Sequence, residues 1–215
     1  MQENHIKVAK TARYFQLGEV GSAIKQVWFV CHGYGQLAGY FLKHFESLAD
    51  GERLIIAPEG LSRFYMNGFY GRIGASWMTR EDRLNDIKDY VIFLDAVYRQ
   101  VFEHVDRSSV KVSVLGFSQG TAAASRWVAL GDVEADQLIL WAGLLPPELI
   151  DENKLEIFKK IKLNLVAGEN DEYASEEKIL EQETHLKENS VPYKLIKFAG
   201  GHELDSGVLK KIAAS

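Results

Sequence analysis

The sequence predicts an α/β fold built on one mostly parallel sheet with helices on both faces. Short apolar runs recur along the chain, each ending in glycine-bearing or polar residues. Helix-like segments separate most of them. The runs are apolar at consecutive positions, which suits strands covered on both sides. Alternating strands and helices argue for parallel pairing through right-handed crossovers, and ligands collect at the carboxyl ends of such strands.

Six runs read as strands: QVWFVCHG (26–33), RLIIAPEG (53–60), VKVSVLGF (110–117), QLILWAGL (137–144), LNLVAGEN (163–170) and YKLIKFAGG (193–201). The clearest helix follows Asn85, where Ile87, Tyr90, Val91, Leu94, Tyr98 and Val101 fall at three- and four-residue steps. Its other face carries Asp86, Lys88, Asp89 and Arg99. A second helix is expected from Gln119 to about Leu130, stopping at Gly131. A third, near Ser175 to Glu188, carries mostly charge and reads as a solvated surface.

A length of 215 residues fits a single domain, 1–215. With 47% apolar, 26% charged and 11% aromatic residues, no long segment is polar enough to stay disordered. No repeat or low-complexity stretch appears, and four prolines mark no domain boundary. The formal charge of −5, with lysines scattered among acids, provides no basic field for a nucleic acid. MQENHIKVAK at the start has no apolar core of a signal peptide, and no later run approaches the roughly 20 apolar residues of a membrane span. A cytoplasmic location is therefore expected. The one cysteine, Cys31, has no intramolecular disulfide partner and is expected to pack in the core.

The stretch VLGFSQGT (114–121) sets Ser118 between Gly116 and Gly120, with a strand before it and a helix after. A turn of almost no length strains the serine backbone and lifts the hydroxyl clear of the sheet. Strand and helix then nearly collide, so the flanking positions must be small, and Ala122, Ala123 and Ala124 let the helix sit close. The helix N-terminus adds free N–H groups and a partial positive charge for an anionic intermediate. Glycine and serine are also ordinary turn residues, so the motif depends on its partners.

A serine hydroxyl needs a base and an orienting acid to attack at neutral pH. Asp171 closes the stretch KLNLVAGEND and His202 follows YKLIKFAGG, each just past a strand end. The three groups could thus meet at one edge of the sheet. Asp171 could instead cap the following helix, with Glu169 or Glu172 as the acid. Of six histidines, only His202 follows the last strand behind a Gly-Gly pair; His5, His104 and His185 read as surface residues. CHGYGQ (31–36) offers Gly33 and Gly35 around Tyr34 after the first strand, so the amides of Tyr34 and Gln119 are the expected oxyanion donors. His32 is expected to fix this loop by hydrogen bonds, with contact to substrate as the alternative.

HGYGQ, GASW, GFSQG, GEND and GGHE together resemble the phospholipase/carboxylesterase group of α/β-hydrolases, which includes the acyl-protein thioesterases. The resemblance covers nearly the whole chain. It implies an α/β-hydrolase fold without a large cap domain, and hydrolysis of a small-molecule ester or thioester through an acyl-enzyme. It implies no metal and no organic cofactor. It supports Ser118, Asp171 and His202 as the triad and Tyr34 and Gln119 as oxyanion donors. Three departures bear on substrate: Thr121 stands where the group commonly has a second glycine, Gln36 where it has an acid, and the S-W-F-D box reads Ser76, Trp77, Met78, Thr79.

Residues 61–78, LSRFYMNGFYGRIGASWM, read as a glycine-broken aromatic loop carrying Phe64, Tyr65, Phe69, Tyr70 and Trp77. Phe69, Tyr70 and Trp77 are candidates for a wall of the substrate cleft, as are Leu144 and Leu145 at the start of LLPPELIDENKLEIF (144–158). The alternative is that these side chains pack their segments onto the domain. Two other functions remain open in the sequence: a non-catalytic scaffold for a ligand or partner, and an amide or peptide hydrolase. Monomer and homodimer are equally compatible with it.

Overall fold

The computed structural model describes residues 1–151 and 154–215. Seven strands form one sheet in the order β1-β3-β2-β6-β7-β8-β9. They are β1 (Tyr14–Leu17), β2 (Gln26–Cys31), β3 (Arg53–Pro58), β6 (Lys111–Phe117), β7 (Gln137–Trp141), β8 (Lys162–Gly168) and β9 (Tyr193–Phe198). β1 runs antiparallel to β3, and every other neighbour in the sheet is parallel. All six expected strands are present. The edge strand β1 was not expected, because four residues of mixed burial carry too weak a pattern.

Strand side chains alternate between two cores. Val27, Phe29, Val112, Val114, Leu138, Leu140, Leu163 and Leu165 face one, which α2 (Arg83–Phe102), α3 (Gln119–Leu130) and α5 (Glu176–Glu188) cover. Trp28, Val30, Leu115, Ile139, Trp141 and Val166 face the other, beneath α1 (Ala38–Phe41), the 3-10 turn after it, and α6 (Ser206–Ala213). A sheet buried on both faces explains the consecutive apolar runs. α3 ends at Gly131, but not through a left-handed cap: its φ is −98°. A Cβ there would instead strike the Trp127 ring at 2.6 Å and Asp95 Oδ1 at 2.7 Å.

The expected aromatic loop is a two-stranded antiparallel hairpin, β4 (Ser62–Asn67) and β5 (Tyr70–Ser76). Its glycines sit at the turn, Gly68 and Gly71, and where β5 meets the 33–36 loop, Gly74. Gly35 N–H donates to Ala75 O and Ala75 N–H to Gln36 O. A short helix, α4 (Pro147–Asp151), lies in the expected cover segment, of which Glu152 and Asn153 fall outside the described residues.

Candidate active site

Ser118 is the single residue between β6 and α3, with φ 54° and ψ −119°, a conformation that L-residues rarely adopt. Its N–H donates to Trp141 O at 2.9 Å, so the sheet ladder continues one step into the strained turn. A Cβ on Gly116 would lie 2.5 Å from Thr121 Cα, and one on Gly120 would lie 2.7 Å from His32 O. The first glycine therefore admits α3 against its own strand. The second admits it against the end of β2.

Asp171 and His202 reach the serine from neighbouring strand ends. After β8 and β9 the two chains remain joined, with Glu169 N–H donating to Phe198 O and Asn170 N–H to Gly200 O, both at 2.9 Å. His202 Nδ1 lies 3.0 Å from each carboxylate oxygen of Asp171, and His202 Nε2 lies 2.9 Å from Ser118 Oγ. A carboxylate only accepts, so Nδ1 carries the proton and donates to Asp171. Nε2 is then free to accept the serine O–H. Asp171 is fully shielded at its side chain while the imidazole keeps 24% exposure. Its Oδ1 also accepts the Tyr173 and Ala174 amides, at 2.9 Å and 3.1 Å, so the capping role that the sequence offered as an alternative coexists with the bond to His202. Glu169 and Glu172, the other candidate acids, are exposed.

The imidazole packs against two rings, Phe117 at 5.0 Å and Tyr173 at 4.7 Å between centroids. Tyr173 escaped the sequence reading because a tyrosine in an acidic loop has no spacing signature. It is 69% exposed.

The 33–36 turn faces Ser118: a Cβ on Gly33 would lie 3.2 Å from the serine Cβ. Gln36, at one of the departures from the resembled family, closes this turn by accepting the Gly33 N–H on its side chain at 2.8 Å. His32 braces it from below, donating from Nδ1 to Gly33 O at 2.8 Å and accepting the Gly60 N–H on Nε2 at 2.9 Å. It is fully buried, and burial lowers its pKa. Among the described residues, the N–H groups of Tyr34 and Gln119 have no acceptor within the protein. The Gln119 side chain ties the elbow to the hairpin, donating to Met78 O at 2.9 Å and accepting the Trp77 N–H at 3.2 Å.

Two of the five candidate wall residues belong to the core. Trp77 is 2% exposed, donates its indole N–H to His32 O and packs on His32 and Tyr90. Leu145 is 4% exposed, and its N–H donates to Gln182 Oε1. Phe69 and Tyr70 stand at the hairpin tip, 87% and 84% exposed, without a ring contact among the described residues. Leu144 is half-buried and follows Gly143, where a Cβ would lie 2.8 Å from Ser118 O. On the hairpin, the Phe64 ring stacks on Tyr34 of the 33–36 turn at 5.1 Å. A cavity of about 270 Å³ abuts Asp171 and is also lined by Gly168, Ala174, Ile179 and Lys197. Neither Ser118 nor His202 lines it.

A serine on a strained strand-to-helix turn, bonded to an imidazole that is bonded to a carboxylate, is the arrangement of an α/β-hydrolase. The serine hydrolase (FSH1) family model matches residues 73–205, and the chain belongs to that family. Solved structures share the fold. Acyl-protein thioesterase 2 of Zea mays superposes with a TM-score of 0.74 at 18% identity, over 95% of this chain and 97% of that one. Esterase PE8 gives 0.71 at 20% identity over 95% and 97%. A Bacillus cereus carboxylesterase gives 0.66 at 17% identity over 94% and 92%. No curated protein sequence matches the chain. Among the described residues, no helix is long and apolar enough to cross a membrane.

Proposed function

We propose that this serine hydrolase cleaves small carboxylic esters or thioesters through an acyl-Ser118 intermediate. The observation that carries the reading is the position of His202, bonded at once to Ser118 Oγ and to Asp171. His202 Nε2 takes the serine proton as Oγ attacks the acyl carbon, and returns it to the departing alcohol or thiol. Asp171 holds the imidazole in its Nδ1–H form and steadies the imidazolium. The N–H groups of Tyr34 and Gln119 receive the developing oxyanion; a donor of this kind is worth on the order of 3 kcal/mol in the transition state. Water then enters on the same imidazole and releases the acid.

The nucleophile, the base, its carboxylate partner and the oxyanion donors of this reading are groups of the chain, and the hydrolytic water comes from solvent. In this reading the acyl group lies between Leu144, next to the Gly143 that packs on Ser118 O, and the hairpin that carries Phe64, Phe69 and Tyr70. The acyl-protein thioesterase and carboxylesterases that share the fold act on such bonds by their names, which supports an ester or thioester over an amide.

An active-site fluorophosphonate probe tests the nucleophile. It labels the wild type and not Ser118→Ala; equal labelling of both refutes the assignment. A panel of matched p-nitrophenyl ester, thioester and anilide substrates then tests the bond. Ester or thioester turnover is expected to exceed anilide turnover by at least tenfold, and the reverse order would replace the proposed reaction with amide hydrolysis.

A further inference from the structure

The hydroxyl of Thr121 makes one of the shortest hydrogen bonds near the site, donating to Ser118 O at 2.6 Å. The Thr121 N–H donates to the same oxygen at 3.0 Å. That carbonyl belongs to the peptide unit whose other end is the Gln119 N–H. We propose that Thr121 is a positioning residue for oxyanion binding, its hydroxyl orienting and polarising the Ser118–Gln119 peptide so that the N–H points at the developing charge. This rests on the assignment of Ser118 as nucleophile and Gln119 N–H as oxyanion donor.

The physical argument has three parts. A peptide unit is planar, so a carbonyl held in place fixes the direction of the N–H across the same bond. A hydrogen bond accepted at the oxygen shifts charge along the amide and strengthens its N–H as a donor. The unit also needs the restraint: it follows a residue at φ 54°, and it lies at the start of α3, where the Gln119 N–H has no acceptor within the protein among the described residues.

The surroundings leave the hydroxyl little else to do. Thr121 is 2% exposed, so water does not compete for it. Gly143, in the loop after β7, presses against the bond: a Cβ there would overlap Thr121 Oγ1 and lie 2.8 Å from Ser118 O. A helical threonine or serine hydroxyl often donates back to the carbonyl three or four residues earlier, as Ser125 does to Thr121 O; what is particular at Thr121 is that the carbonyl reached by its hydroxyl is the one of Ser118. Here a bare glycine seals it onto the serine carbonyl.

Thr121→Ser retains the hydroxyl, and Thr121→Ala removes it. Both are compared with wild type in kcat and KM on a short-chain p-nitrophenyl ester, and in inhibition by a trifluoromethyl ketone that forms a tetrahedral adduct. Thr121→Ser is expected within twofold of wild type. Thr121→Ala is expected to lose about tenfold in kcat, with KM within twofold and inhibitor affinity falling by the same factor as kcat/KM. Equal activity of Ala and Ser overturns the proposal, because the hydroxyl then does nothing. An equal loss in both overturns it as well, because methyl packing then explains the effect. Should Thr121→Ala fail to fold, Thr121→Cys takes its place as a poor donor of similar size, and wild-type kcat in Cys is the overturning result. Ser118→Ala is assayed alongside. If it is inert while Thr121→Ala is fully active, only the role of Thr121 falls; if it hydrolyses ester like wild type, the underlying assignment falls too.

Discussion

Gly168 lies against Gly200 so closely that a Cβ on the first would stand 2.5 Å from the carbonyl oxygen of the second. The contact lets the loop after β8 and the loop after β9 run side by side, which places Asp171 within 3.0 Å of the imidazole. Gly168→Ala is expected to push the loops apart, destabilising the protein by about 1–3 kcal/mol through overpacking and lowering ester turnover by more than that loss of folded protein explains. Gly21→Ala is the control, since nothing lies within 4 Å of the added carbon. Urea unfolding and kcat on the two variants check both expectations.

His202→Ala removes the proposed base. Turnover of an activated ester is expected to fall by on the order of 10⁴-fold or more, because members of a coupled triad act as a unit. Asp171→Asn, which leaves the imidazole free to choose the wrong tautomer, is expected to cost about 10³–10⁴-fold. Activity within tenfold of wild type in either variant would contradict its assigned role.

Phe64 stacks on Tyr34, the residue of the 33–36 turn whose N–H is a proposed oxyanion donor. An aromatic pair of this kind is worth about 0.5–1.5 kcal/mol beyond area burial, so Phe64→Ala is expected to lower kcat/KM by roughly three- to tenfold. Phe64→Leu should recover only part of the loss. Steady-state kinetics on one ester series decides this, with an unchanged kcat/KM counting against a role for the contact.

His32 gives the fold a pH dependence. Burial depresses its pKa, with the Gly33 carbonyl and the charge of Glu59 opposing that shift incompletely. The unfolded chain then binds the proton more readily, so stability is fully present above about pH 6.5, the ordinary histidine value, and declines as the pH falls toward the depressed one. Denaturant midpoints between pH 5 and 8 should show the decline, and His32→Gln should flatten it. An identical profile in the two proteins would remove His32 as its source.

Arg126 is a buried cation on α3, 2% exposed, held by Glu148 at 2.6 Å and 2.7 Å. Burial raises the Glu148 pKa, but hydrogen bonds from its own backbone, Arg126 and Arg83, together with the charge of Arg126, outweigh it and leave a net lowering. Glu148→Ala strands the guanidinium and is expected to cost about 3 kcal/mol, whereas replacing the pair together with Arg126→Met should cost less. Chemical denaturation of the single and double variants measures the difference.

The parts of the site legible in the sequence are those fixed by local geometry. A serine flanked by glycines between a strand and a helix could be read from eight consecutive residues, because the steric demands of the turn act between neighbours. Asp171 and His202 could be read from their positions after strands, because parallel strands bring their carboxyl ends to one edge whatever else the chain does. The six parallel strands and three long helices were visible for a related reason: a continuous apolar run or a period of 3.6 is contained within each segment.

Tertiary structure alone decided which side chains around that serine face the solvent and which face the core. Trp77 and Leu145 had the composition of a cleft wall, yet pairing of β5 with the 33–36 turn and the hydrogen bond that Leu145 N–H donates to Gln182 on α5 draw them inward. Tyr173 is unmarked in the chain and Phe64 is one of five rings in its segment; both found their places through rings more than 28 residues away. The reason is physical: sequence specifies the preferences of a segment through contacts with its neighbours, whereas burial of an aromatic ring depends on surfaces that only the completed sheet brings together.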